Sequence, residues 1–156
     1  MADYRIVAVA AAQQAGKIIA DAYRTDFKVY YKQGTLTNLV TEVDRRSETA
    51  IIEVLSTAFP AHHILAEEGG EALRKPSRYR WYVDPLDGTT NFAHGFPMFC
   101  VSIGLEADGH MMLGVVYDPL RGELFEAQAG EGAYMNGERI HVSSVKELQK
   151  ALLVTG

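Results

Sequence analysis

The residues best suited to chemistry lie in one stretch, Trp81-Tyr82-Val83-Asp84-Pro85-Leu86-Asp87-Gly88-Thr89-Thr90-Asn91-Phe92. Trp81 to Val83 reads as a short buried strand that delivers Asp84 at its end. Pro85 then turns the chain, and Asp87 follows three residues after Asp84. Carboxylates converging at a strand end offer the hard oxygen donors that magnesium prefers. Gly88, Thr89 and Thr90 come next. A glycine and hydroxyl residues ahead of a helix present backbone N–H groups to an anion. Metal ions beside a phosphate pocket suit hydrolysis by metal-activated water. Taken alone, Asp-Pro-x-Asp-Gly is equally a turn, because each of these residues favours one.

Two neighbouring features add to this stretch. Glu67-Glu68-Gly69 follows the apolar run Ile64-Leu65-Ala66. Paired acids there can supply another metal ligand and a water contact, or simply form a solvated loop. Asp44 stands where a helix begins. An acid at that position stabilises the helix dipole even when it does no chemistry.

The surrounding elements must bring these residues together. Tyr4, Val7, Ala8, Ala11, Ala15, Ile18, Ile19 and Ala22 recur at helical spacing and predict a first helix that fades near Arg24 and Thr25. A short β-rich piece (Phe27, Val29 to Tyr31) and a polar loop around Gly34 follow. Thr41 is the expected N-cap of a second helix, with Ala50, Ile51, Val54, Leu55 and Ala58 as its buried stripe and Pro60 as its stop. Residues 69–77 read as a loop. Strands are expected over 101–106, 111–117, 123–127 and 133–135, with Asn136-Gly137 as a hairpin turn. Consecutive strands joined by tight turns imply a mainly antiparallel sheet. With the two N-terminal helices packed on it, the expected class is an α+β layered domain. Residues 151–156 look like a strand that has just begun, which suggests a longer parent chain.

The chain has 156 residues, 47 % of them hydrophobic, and a net charge of −5. One domain with a sizeable core is expected. No basic run supports contact with nucleic acid. No apolar stretch reaches the ~20 residues needed to span a bilayer. No basic and apolar leader precedes Tyr4, and the single Cys100 forms no internal disulfide, so a reducing cytoplasmic setting is expected. Cys100 itself reads as buried filler. His62 and His63 read as surface residues of a connector, and His94, His110 and His141 suggest no site.

Taken together, these motifs resemble the inositol monophosphatase family, within the lithium-sensitive, magnesium-dependent phosphatase superfamily. The resemblance rests on the 84–92 stretch, on Leu65-Ala66-Glu67-Glu68 and on Asn38-Leu39-Val40-Thr41-Glu42-Val43-Asp44. It extends to Phe96-Pro97, Val101-Ser102-Ile103-Gly104, Gly114-Val115-Val116-Tyr117 and Gly130 to Gly137. It implies that Glu67, Asp84 and the carbonyl of Leu86 hold a first magnesium ion. Asp84 and Asp87 would hold a second, and a weaker third would lean on Glu67 and water. Asp44 and Thr89, with Glu67 nearby, would position and deprotonate the attacking water. Gly88 and Thr89 would offer N–H groups to the substrate phosphate, with Thr90 adjoining, and Glu68 would support the ligands from behind. The implied activity is hydrolysis of a small phosphorylated polyol such as inositol monophosphate, by a homodimer. The alternatives are a fructose-bisphosphatase, a nucleotide 3′-phosphatase, a non-catalytic fragment, or a partner of RNA-handling machinery. Two departures stand out. Asn38 replaces a common acid, and the Trp-Asp pair of the family's C-terminal part has no counterpart, since Trp81 is the only tryptophan. The chain is therefore expected to be the N-terminal domain, 1–156, with the C-terminal domain absent.

Overall fold

The computed structural model describes residues 3–31, 39–73 and 76–154. The polar loop around Gly34 and the Asn38 departure lie outside the described residues. Helix α1 runs Tyr4–Ala22, and the Asp3 carboxylate caps it by accepting the N–H groups of Arg5 and Ile6. Its alanine-rich buried face allows close approach to helix α2, Glu42–Ala58. Thr41 and Asp44 form a capping box at the start of α2. Among the described residues no helix is long and apolar enough to cross a membrane.

Strands β1 (Val29–Tyr31) and β2 (Leu39–Thr41) pair as a small antiparallel ribbon. The remaining eight strands form one sheet. They are β3 His63–Ala66, β4 Gly70–Leu73, β5 Tyr79–Asp87, β6 Cys100–Ala107, β7 His110–Asp118, β8 Glu123–Gln128, β9 Gly132–Met135 and β10 Glu138–Ile140. Their order is β10-β9-β8-β7-β6-β5-β3-β4, and among the described residues only the β3–β5 pair is parallel. The helices cover one face, where Trp81, Val83, Val101, Ile103, Leu105, Leu113 and Val115 meet Ala8, Ala11, Ile19, Ile51 and Leu55. This is the expected α+β layering.

Three details differ from the sequence expectations. Residues 70–73, read as loop, form β4 against β3, closing a short hairpin after Glu67-Glu68-Gly69. Asp84 is not the end of its strand, because β5 continues to Asp87 through a register shift between Asp84 and Asp87. Pro85 has no N–H to give the ladder, and a bulge is where a sheet tolerates that loss. The bulge also breaks the in–out alternation, so Leu86 turns into the core at 1 % exposure while Asp87 is exposed. Residues 152–154 join no strand, and the segment before them ends in a 3₁₀ turn, Leu148–Lys150. A strand needs a partner for its backbone groups, and among the described residues none pairs with this segment.

The histidine reading is also corrected. His62 is buried, its ring stacked between Phe59 (4.9 Å, 13°) and Tyr79 (4.5 Å, 16°). Its Nδ1 accepts the indole N–H of Trp81 at 3.1 Å. His63 is half-buried on β3. Aromatic packing and a polar contact therefore draw the connector inward.

Candidate metal and phosphate site

Strands β3 and β5 run in the same direction, and β3 ends where β5 passes Val83 on its way to Asp87. Ala66 pairs with Val83, and the N–H of Glu67 donates to the Val83 carbonyl at 3.1 Å. Glu67 is thereby set beside Asp84, and the two carboxyl groups hydrogen-bond. Burial, the charge of Glu67 and that bond, then the charge of Asp87, push the Asp84 carboxyl up to about 7. The N–H of Leu86 donates back to Asp84 Oδ1 at 3.1 Å, a local turn that only partly offsets the rise. Asp84 and Glu67 border a cavity of about 690 Å³ together with Tyr82, Ser102 and Gly104.

Asp44 approaches from α2 and is 1 % exposed. Its Oδ2 accepts the Thr41 N–H at 2.8 Å and the Thr41 hydroxyl at 2.5 Å. Its Oδ1 faces the Thr89 hydroxyl at 2.8 Å, and that hydroxyl also lies 2.9 Å from the Leu86 carbonyl. Thr89 opens the short helix α3, Thr89–Ala93. Gly88 precedes it with φ +93°, and a Cβ there would stand 2.8 Å from the Met98 carbonyl, so only glycine fits. Phe92, 1 % exposed, anchors α3 among Tyr23, Phe27 and Phe99. Thr90 is exposed.

The structure thus brings Asp44, Leu86 and Thr89 into direct contact, and Glu67 with Asp84. Asp87 acts on Asp84 through its charge and lies exposed at the rim. Among the described residues, no three His, Cys, Asp or Glu side chains form a ready ligand cluster. Cys100 is half-buried rather than core filler, and its thiol points at Asp87 Oδ2 from 3.8 Å. Burial and the Asp87 and Asp84 charges push that thiol up to about 12, so it stays protonated.

One contributor escaped the sequence reading. Glu48, 6 % exposed, sits one turn after Asp44 on α2. Its Oε2 accepts the Glu68 N–H at 2.8 Å, and the carboxylate also accepts the Gly69 N–H. Burial raises its pKa, and the two N–H groups work against that rise. Its spacing was the available signal, since Asp44, Glu48, Ile51 and Leu55 share one helix face.

The fold is thus an α+β layer with oxygen donors gathered where β3 ends beside β5. The chain belongs to the inositol monophosphatase family, whose sequence pattern matches residues 1–156. It is 45 % identical over 152 residues to the Nus factor SuhB of Pasteurella multocida, covering 96 % of this chain and 56 % of that protein. The crystal structure of the extragenic suppressor protein suhB from Bartonella henselae superposes with a TM-score of 0.88 at 41 % identity, over 92 % of this chain and 56 % of the other. An IMPase/NADP phosphatase complexed with Mg2+ and phosphate superposes with a TM-score of 0.71 at 32 % identity, over 81 % and 48 %. The chain therefore spans about half the length of the relatives it matches.

Proposed function

We propose that the protein of which this chain is part hydrolyses a phosphomonoester of a small polyol, such as inositol monophosphate, with magnesium. The observation that carries this reading is the contact of Thr89 with both Asp44 and Leu86, beside the Glu67–Asp84 pair. The donors fit a hard cation: all are oxygens, and burial together with the neighbouring Glu67 and Asp87 already raises the Asp84 carboxyl to about 7. Glu67, Asp84, Asp87 and the Leu86 carbonyl would hold the ions. Bound magnesium would supply Lewis acidity toward water and phosphate.

The chain's own residues account for the proton. Neither Asp44 Oδ1 nor the Leu86 carbonyl offers a hydrogen, so the Thr89 hydroxyl is the donor. Donating toward Asp44 leaves its lone pairs to accept from the attacking water. The water proton passes to Thr89 Oγ1 as the Thr89 proton passes to Asp44 Oδ1. The water oxygen bonds to phosphorus, the ester P–O bond breaks, and the leaving alkoxide takes a proton from solvent. The Gly88 and Thr89 N–H groups, with Thr90 adjoining, would receive the phosphate oxygens. Glu68 holds the Glu67 turn through its backbone.

Phosphate release from inositol 1-phosphate, with magnesium or a chelator and beside Asp84→Asn, tests the reading. Release that persists in the chelator or the variant would overturn it. Fructose bisphosphate and a nucleotide 3′-phosphate belong in the same panel.

The name Nus factor carried by the Pasteurella multocida relative favours a second reading, assembly with RNA-handling machinery independent of catalysis. Capture of partners that is equal for the parent and Asp84→Asn would support assembly, and capture by neither would remove it.

A further inference from the structure

Helix α2 touches the candidate site twice, one turn apart. Asp44 reaches Thr89, and Glu48 reaches the turn that follows β3. That turn is gripped from two sides. The Glu67 N–H donates to Val83 on β5, while the Glu68 and Gly69 N–H groups donate to Glu48. The fit around Glu48 is close, since a Cβ on Gly69 would stand 2.9 Å from its Oε1. The Glu67 side chain projects from between these two grips.

We infer that Glu48 is a positioning residue: by accepting the Glu68 and Gly69 N–H groups, its carboxylate sets the turn that aims Glu67 at Asp84. This deepens the proposed metal-dependent reading and rests on it for its bearing on catalysis. The Glu48 carboxylate is engaged by the backbone of the turn. It acts by fixing a ligand's backbone, as partners behind a metal site do. Asp44 and Glu48 share one helix, so the water-activating group and the Glu67 carboxylate are referred to the same rigid element.

The test uses the whole protein as the parent, Glu48→Ala and Glu48→Gln. Amide hydrogen exchange is read without metal, and Mn2+ affinity is read by calorimetry. Glu48→Ala should speed exchange at Glu68 and Gly69 while amides 51–55 of α2 stay protected. Its Mn2+ affinity should fall about 10- to 100-fold. Glu48→Gln keeps an acceptor oxygen and should recover part of both. Unchanged exchange at Glu68 and Gly69 in Glu48→Ala would overturn the inference, as would faster exchange with unchanged Mn2+ affinity. A parent protein that takes up no Mn2+ would sink the metal reading instead, and exchange at Glu68 and Gly69 would then decide alone whether Glu48 holds the turn.

Discussion

The Thr89 hydroxyl lies 2.8 Å from Asp44 Oδ1, although the two residues stand 45 positions apart. The other oxygen of Asp44 is taken by Thr41. The carboxylate is thus held from behind and directs one acceptor at one hydroxyl.

Thr89→Val keeps the bulk and removes the proton carrier. It should lower kcat by about 10²- to 10⁴-fold, the range for a lost general-base relay. Thr89→Ser keeps the hydroxyl and should retain most of the activity. Steady-state kinetics on the active substrate check both variants. Equal losses in the two would remove the relay.

Metal uptake should depend on pH through Asp84. Its carboxyl titrates near 7 in the metal-free protein, whereas its ordinary value is 3.8. The folded state therefore holds the proton more tightly than the unfolded chain. Stability contributed by the neutral carboxyl is full below about pH 4 and is lost as pH rises through about 7. Magnesium binding needs the ionised form, so affinity should climb over the upper part of that window with proton release. Asp84→Asn should melt higher than the parent at neutral pH without metal, and should gain nothing from magnesium. Thermal melts with and without magnesium decide it.

His62 imposes the opposite slope. Burial lowers its pKa from 6.5, and its Nδ1 must stay unprotonated to accept the Trp81 N–H. Its contribution is full above the ordinary value of 6.5 and is lost as pH falls through the lower folded value. Denaturation followed by Trp81 fluorescence should show the parent weakening on the acid side. His62→Phe should remove that slope, at a pH-independent cost of about 1–3 kcal/mol for the stranded indole N–H. Comparison within an Asp84→Asn background separates the two slopes.

Glycine inside a helix ordinarily gains about 0.5–1 kcal/mol when replaced by alanine. Gly16 should do the reverse, because a methyl group there runs into the Tyr117 ring and stands 3.2 Å from Pro119 Cβ. Gly16→Ala should therefore lower the denaturation midpoint. A raised midpoint would show that the α1–β7 seam yields.

Much of this architecture was legible in the residues. The periodicity of α1, the Thr41 cap, the Asn136-Gly137 hairpin and the 84–92 stretch each carry a local signal that survives folding. Other features were decided by distant partners. His62 looked exposed beside Pro60 because nothing local announces that Phe59, Tyr79 and Trp81 will enclose it. Strand β4 is only four residues long, and exists by pairing with β3. Glu48 resembles any solvated helix acid until the turn after β3 delivers two N–H groups to it. The end of β5 was misplaced because Pro85 signals a turn, whereas the sheet absorbs it as a bulge.

The parallel pairing of β3 with β5 gives the site an unforgiving alignment. Ala66 sits opposite Val83, so Glu67 and Asp84 emerge together. A shift of one residue between these strands would send neighbouring side chains to opposite faces. Such a molecule would keep its helices and most of its sheet, yet its two carboxyl groups would no longer meet. The candidate site is thus a reading of strand alignment, and a chain misaligned at this one seam would pass for native by secondary structure with its Glu67–Asp84 pair undone.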